Sequence, residues 1–451
     1  MKRVDPILPI IGRFTGKTGK ILYGAGAFGE SLIFAIIGTY LIYFYTEIVL
    51  LDPVLIGIGF MATYGVWNAI NDLIAGYISD KTRTKWGRRI PYISIFSPIM
   101  ILLFIMIWSP PVGGKPLSNP SDLCIFTFFI IIIFIFEFVY TLVDVGWNAL
   151  FPEMYRDIKD RSEVAVYRQV FATIGVIITI ILVPQLITYF TEKFGTFQGW
   201  IFVGIVVSLM GGISFLLSLL GSKEKEITLT ESTLPIKEYF KITFTNKSFL
   251  TAAFLILTTS WIWSVLEAMI PFIVQHFLGG KTSDITIIGA PMIIFPILFY
   301  PIWREICIRY GSRFTLIFST ILMASGLLVL AIWADSIIKA VILTAFFGAV
   351  NSGVQITREL LIPDVIDEDV NRTGLRREGI YYGARTFIDR FALALTGAST
   401  AFIFGLSGYT PGAVQPIEVV WNMRIGLALV IIIALAIFLI AAKYYPLGKK
   451  V

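Results

Sequence analysis

Residues 64–93, YGVWNAINDLIAGYISDKTRTKWGRRIPYI, decide the fold: an apolar helix carries a carboxylate in mid-span and then breaks into a cationic turn. Asn68, Asn71 and Asp72 fall within one helical turn, with 68 and 72 four residues apart and therefore on nearly the same face. A charged side chain near the centre of a bilayer costs roughly 2.5 to 3.5 kcal/mol on insertion scales, so Asp72 must face a protein interior or a wet cavity. The stretch points to an ion or proton path through a membrane.

The composition agrees. Hydrophobic residues make up 57% of the chain, against about 45 to 50% for a soluble domain. Apolar runs of about 20 residues recur along its length, each able to cross a hydrocarbon core of about 30 Å as a helix. The run 123–143, nearly all Ile, Phe and Leu, excludes a β-barrel, which needs short alternating segments. The net charge of +6 does not mark a nucleic-acid partner, because the basic residues gather in loops on one side. Cys124 and Cys307 are far apart, no CxxC or Cys/His cluster exists, and His276 stands alone. With no HExxH or GxSxG, the chain is not expected to be an enzyme or to hold a metal or other cofactor. The N-terminal basic segment leads into a span too long for a cleavable signal.

Six spans are expected at about 21–50, 53–79, 90–108, 122–151, 163–189 and 200–220, and six more at about 248–277, 284–303, 313–333, 336–361, 378–405 and 416–443. A charged, Thr-rich interval separates the groups. The expected organisation is an N-terminal bundle over 1–221, a cytoplasmic linker over 222–247 and a C-terminal bundle over 248–451. With both termini cytoplasmic, about 30 of the 36 Lys and Arg lie on the cytoplasmic side. Trp86-Gly87-Arg88-Arg89 after the second span has a weaker echo, Tyr310-Gly311-Ser312-Arg313, after the eighth. An all-α membrane protein of twelve helices in two six-helix bundles is the major facilitator architecture, with its site near the midplane.

Further polar residues interrupt the spans. Glu137, Thr141, Asp144 and Asn148, spaced 4, 3 and 4, form one stripe on the fourth. Glu30 and Ser31 lie on the first, and Arg390 beside Asp389 on the eleventh. Glu30, Asp72, Asp144 and Arg390 come out at comparable depth and could meet in one cavity. Two close carboxylates cannot both stay ionised cheaply, so Asp72 and Asp144 are expected either to hold a cation together or to share a proton. Arg390, permanently charged, would neutralise one of them or bind solute hydroxyls. Trp147, next to the stripe, could stack on a sugar face. Asp80, Arg83, Arg88 and Arg89 read either as a cytoplasmic gate latch or as anchoring of the cytoplasmic side.

Four stretches carry a family resemblance: YGAGAFGES on the first span, WNAIND followed by TRTKWGRR, YTLVDVGWNALFPEM on the fourth, and PDVIDEDVNRTGLRREGIYYGARTF leading into the eleventh. Together they resemble the glycoside-pentoside-hexuronide:cation symporters, of melibiose permease-like type, in the major facilitator superfamily. The resemblance implies a cation carboxylate at Asp72 assisted by Asn71 and Thr141, a sugar-binding carboxylate at Asp144, an arginine at Arg168, and at Arg390 the basic residue linking cation and sugar sites. Asn68 replaces a second cation aspartate of that type. Ser31 replaces its first-span sugar aspartate with Glu30 adjacent, Asn148 replaces a tryptophan, and Gln355 replaces another. The implied activity is symport of H+ or Na+ with a sugar, glycoside or similar small polar solute by alternating access, in a monomer of the cell membrane surrounded by lipid. A lysophospholipid transporter of the same fold and a non-transporting membrane sensor are the alternatives.

Overall fold

In the computed structural model the described residues are 11–111, 119–155, 158–224, 245–373 and 378–447, and within them twelve helices are long and apolar enough to cross a membrane. These are α1 (Gly16–Ile48), α2 (Pro53–Phe60 continuing through Met61–Trp67 and Asn68–Lys81), α3 (Ile90–Ile107), α4 (Asn119–Met154), α5 (Ile158–Ile177 continuing through Ile178–Leu182 and Val183–Phe194) and α6 (Thr196–Leu219). The second set is α7 (Lys247–Phe272 with Ile273–Phe277), α8 (Asp284–Tyr310), α9 (Ser312–Trp333), α10 (Ile337–Thr373), α11 (Glu378–Ser407) and α12 (Ile417–Tyr444). Only helices satisfy every backbone group within a single crossing segment, so the apolar runs fix this choice. Several helices outrun the sequence expectation, most of all α10, which passes through Pro363 to Thr373, while α8 continues to Tyr310 and α5 gains about a turn at each end.

The chain divides into two compact units. Unit 1 comprises residues 1–52 and 62–229; unit 2 comprises 53–61 and 230–451. The beginning of α2 thus groups with unit 2, where it lies directly on α11: a Cβ built on Gly57 would come 2.6 Å from the Gly397 carbonyl oxygen. Residues 225–244, the greater part of the expected linker, lie outside the described residues.

The two units repeat each other in detail. In both, the first helix ends in a π-helical turn, Phe44–Ile48 in α1 and Ile273–Phe277 in α7. The closing hydrogen bonds match: Val49 N to Phe44 O and Leu51 N to Tyr45 O, against Leu278 N to Ile273 O and Gly280 N to Val274 O. The residue that turns the chain is left-handed in both, Gly279 at φ +61° and Leu50 at φ +66°. Leucine meets a steric penalty there that glycine does not.

The same ends of the units differ in their filling. In unit 1, Trp108 and Trp200 are buried and stacked, with centroids 5.8 Å apart and planes 15° apart. In unit 2 the corresponding Trp333 and Trp421 are 56% and 46% exposed. Arg424 joins the helices instead, its buried guanidinium donating to Phe277 O (3.0 Å), Ala331 O (2.9 Å) and Ala334 O (2.7 Å). Those carbonyls belong to helix C-terminal regions, where unpaired acceptors and the helix dipole favour a cation.

Candidate transport site

In unit 1 the polar turn of α2 faces α4. Asn71 Nδ2 donates to Thr141 Oγ1 (2.8 Å) and to the Glu137 carbonyl (2.9 Å), while Trp67 stacks on Phe134 with centroids 3.7 Å apart. Asn68, Asn71, Thr141 and Glu137 are all buried, and Asp72 is half-buried beside them in the sequence. Neither Oδ1 nor Nδ2 of Asn68 has a hydrogen-bond partner among the described residues, and Asn71 Oδ1 has none either. Most buried side-chain polar atoms in proteins are paired, so these amide atoms, one turn from Asp72 in Asn68 and next to it in Asn71, are exceptions. Among the described residues no cluster of His, Cys, Asp or Glu is fit to hold a metal.

A second polar line runs from α4 to α5. Arg168 donates to Asn148 Oδ1, and Asn148 Nδ2 donates to Asp144 Oδ1 at 3.0 Å. The amide can face only one way, oxygen to the cation and nitrogen to the anion. Arg168 lies over the rings of Trp147 and Phe151, at 4.3 and 4.9 Å from their centroids. Trp147, expected to contact solute, is instead 0% exposed. It exchanges hydrogen bonds with α1, Trp147 Nε1 to Tyr23 O (3.1 Å) and Tyr23 Oη to Trp147 O (2.8 Å), and its ring stacks on Tyr23. Its place is that of a support beneath Arg168. Glu30 and Ser31 are half-buried on α1.

Unit 2 holds Gln355 and Arg390. Gln355 is exposed and accepts from Tyr300 Oη; Arg390 is half-buried. Of the residues around them, Asp389 was noted in the sequence and Ser260, Arg358, Glu359 and Arg385 were not. Arg358 Nη2 donates to Asp389 Oδ1 (3.0 Å) and Ser260 Oγ (2.7 Å), and Ser260 Oγ bonds Asp389 Oδ1 (2.7 Å). Arg385 grips Glu359 with two parallel bonds, Nη2 to Oε1 at 2.6 Å and Nη1 to Oε2 at 3.2 Å. A signal for them existed. Leu150-Phe151-Pro152-Glu153 on α4 aligns with Leu361-Ile362-Pro363-Asp364 on α10, which sets Asp144 against Gln355, Trp147 against Arg358 and Asn148 against Glu359.

The basic turn of unit 1 is a closed network. The Glu224 carboxylate, 8% exposed, accepts from the backbone N–H of Arg88 (2.7 and 2.8 Å) and of Arg89 (3.0 Å) at the start of α3. This is favourable electrostatics at a helix N-terminus. Gly87 at φ +111° makes room for it, because a Cβ there would overlap the Glu224 carboxylate. Arg88 Nη2 pairs with Glu153 Oε1 at 2.9 Å, Arg89 Nε lies 3.6 Å from the same oxygen, and Arg89 Nη1 donates to Ser79 Oγ at 2.6 Å. Burial pushes the Glu153 carboxyl above the ordinary range, opposed by the two arginines. Arg83 is exposed, with Nη1 on the Thr82 carbonyl. The Asp80 side chain lies outside the described residues.

Comparison with known proteins places the chain as a whole. Residues 22–449 match the family described as MFS/sugar transport protein. The chain is 25% identical to an uncharacterized symporter, sll1374, of Synechocystis, over 96% of this chain and 95% of that one. It is 21% identical to the isoprimeverose transporter of Lactiplantibacillus pentosus, over 95% and 88%. Among solved structures a point mutant of the nucleoside transporter NupG superposes with a TM-score of 0.68 at 12% identity, covering 94% of this chain and 99% of that one, a likeness of fold. With a family match spanning nearly its whole length and twelve membrane-crossing helices, the chain belongs to the MFS/sugar transport family and is a multi-pass transporter of the cell membrane.

Proposed function

We propose that the protein is a symporter that takes up a sugar, glycoside or similar small polar solute with H+ or Na+, working as a monomer with both termini cytoplasmic. The observation that carries this reading is the buried amide of Asn68, partnerless at both polar atoms among the described residues, beside the likewise partnerless Asn71 Oδ1 and one turn from Asp72. The side-chain oxygens of Asn68, Asn71 and Asp72, with Thr141 Oγ1, suit a hard cation that prefers oxygen ligands. Asp72 alone would serve a proton. Asp144, Asn148 and Arg168, with Glu30 and Ser31, are the solute contacts we assign to unit 1, and Gln355 and Arg390 those of unit 2. Trp147 holds Arg168 in place, and Asp80, Arg83, Arg88 and Arg89 with Glu224 form the cytoplasmic latch.

The test is counterflow and net uptake in proteoliposomes of labelled sugars, glycosides and a lysophospholipid, with and without sodium at two pH values. Sugar uptake driven by one ion, with Asp72→Asn losing the gradient-driven part by about 100-fold or more (about 2.7 kcal/mol of coupling), supports the reading and names the ion. Lysophospholipid flux without sugar flux, or solute binding without flux, overturns it.

A further inference from the structure

We propose that Glu359 and Arg385 form a charge filter on α10 and α11 that admits neutral polyhydroxylated solutes and rejects acidic sugars. The proposal rests on the sugar-transport reading above. Its starting point is the internal repeat: Glu359 occupies on α10 the place of Asn148 on α4, and each is held by an arginine of the following helix, Arg385 on α11 and Arg168 on α5. The pair therefore stands where unit 1 carries its own solute-facing line.

Exposure decides which way the pair acts. The Glu359 side chain is 69% exposed and that of Arg385 only 17%. Glu359 lies within the apolar helix Ile337–Arg372, and an open carboxylate on such a helix cannot face hydrocarbon, so it faces water. A solute arriving from that water meets carboxylate oxygens first. The guanidinium behind them is occupied: its two Nη atoms hold Glu359 and its Nε lies 3.8 Å from Asp389 Oδ2.

This arrangement sorts solutes by charge. Hydroxyl groups donate to the outward lone pairs of Glu359 without disturbing its bidentate bond, and the neighbouring Gln355, one turn away and also exposed, adds a neutral donor and acceptor. A carboxylate or sulfonate would have to displace Glu359 from Arg385. That would leave an uncompensated anion beside the incoming one, a repulsive element of the kind that sets specificity. The bond that fills the fork of Arg385 is thus what excludes anions, although an arginine alone would attract them.

The experiment measures uptake of glucose, glucuronate and 6-deoxy-6-sulfoglucose, each free and as its methyl glycoside, in proteoliposomes holding the full chain. In the wild type the neutral sugar should be preferred over each acidic one by at least about tenfold. Glu359→Gln, which releases Arg385, should move the ratio toward the acidic sugars by about tenfold or more. Glu359→Gln combined with Arg385→Gln should abolish that gain. Wild-type protein that takes the acidic sugars equally well or better overturns the filter and leaves the transport reading standing. So does an unchanged ratio in Glu359→Gln. Absence of flux for every sugar overturns the transport reading, and the filter falls with it. Should Glu359→Gln fail to reach the membrane, Glu359→Ser asks the same question, with the same ratio as readout.

Discussion

The corresponding slots of the two units hold opposite solutions to one problem. On α4 the polar residues are Asp144 and Asn148, with a buried indole, Trp147, tying the helix to α1; on α10 they are Gln355 and Glu359, with a guanidinium, Arg358, tying the helix to α7. Unit 1 keeps its arginine and aspartate apart with an amide and leaves the oxygens of Asn68 and Asn71 without partners among the described residues. Unit 2 joins its charges directly, Arg358 to Asp389 and Arg385 to Glu359. A site that must capture and release an ion needs unfilled valence. A site that screens a solute can be internally neutral.

The sharpest way to break this contrast is at Arg358. Arg358→Leu takes from Asp389 its closest cation, leaving it Ser260 and the more distant Arg385, and should cost about 2 kcal/mol of stability, whereas Arg358→Leu with Asp389→Leu should recover most of that loss. Thermal unfolding of the purified protein in detergent reads both. A double variant as unstable as the single one would mean that the pair does not hold its slot as a unit. A smaller effect is expected at the π-helical helix ends: Leu50→Gly copies Gly279 into unit 1 and should stabilise by about 1 kcal/mol, seen as a higher midpoint in the same measurement. An unchanged or lower midpoint would show that the side chain of Leu50 contributes more than its backbone costs.

The smallest expected effect concerns the acid after the shared proline, Glu153 in unit 1 and Asp364 in unit 2. Because burial raises the Glu153 carboxyl, the folded chain binds its proton more tightly than the unfolded one. Its contribution to stability is therefore greatest at low pH and declines as pH rises from the unfolded value of about 4.3 through the raised folded value. Glu153→Gln should flatten that part of the stability profile. Persistence of the slope in the variant would assign it to another group.

The twelve helices were legible in the sequence because the bilayer leaves the backbone no alternative, and the polar face of α2 because Asp72 is costly anywhere else. Side-chain partners were not. Glu224 sits in a stretch whose composition reads as linker, yet its carboxylate caps α3, since an acid near a chain turn carries no mark of the helix end it will reach. Arg358 and Glu359 were hidden because they fall in the last turn of the span expected to end at 361, where charges read as a membrane boundary, and α10 instead continues for about a dozen residues beyond. Trp147 looked available because it adjoins the polar stripe. Its indole reaches across to the Tyr23 carbonyl, a contact set by helix packing, which spacing along one helix does not reveal.

The unequal tryptophans give the protein an optical asymmetry of its own. Trp108 and Trp200, buried and nearly parallel, should emit at short wavelength, resist quenchers in water and couple excitonically in the near-ultraviolet. Trp333 and Trp421, half open at their helix ends, should respond to brominated lipid and acrylamide. In a variant that keeps only these four of the ten tryptophans, fluorescence without any attached dye can therefore report separately on the two bundles as solute and ion are added.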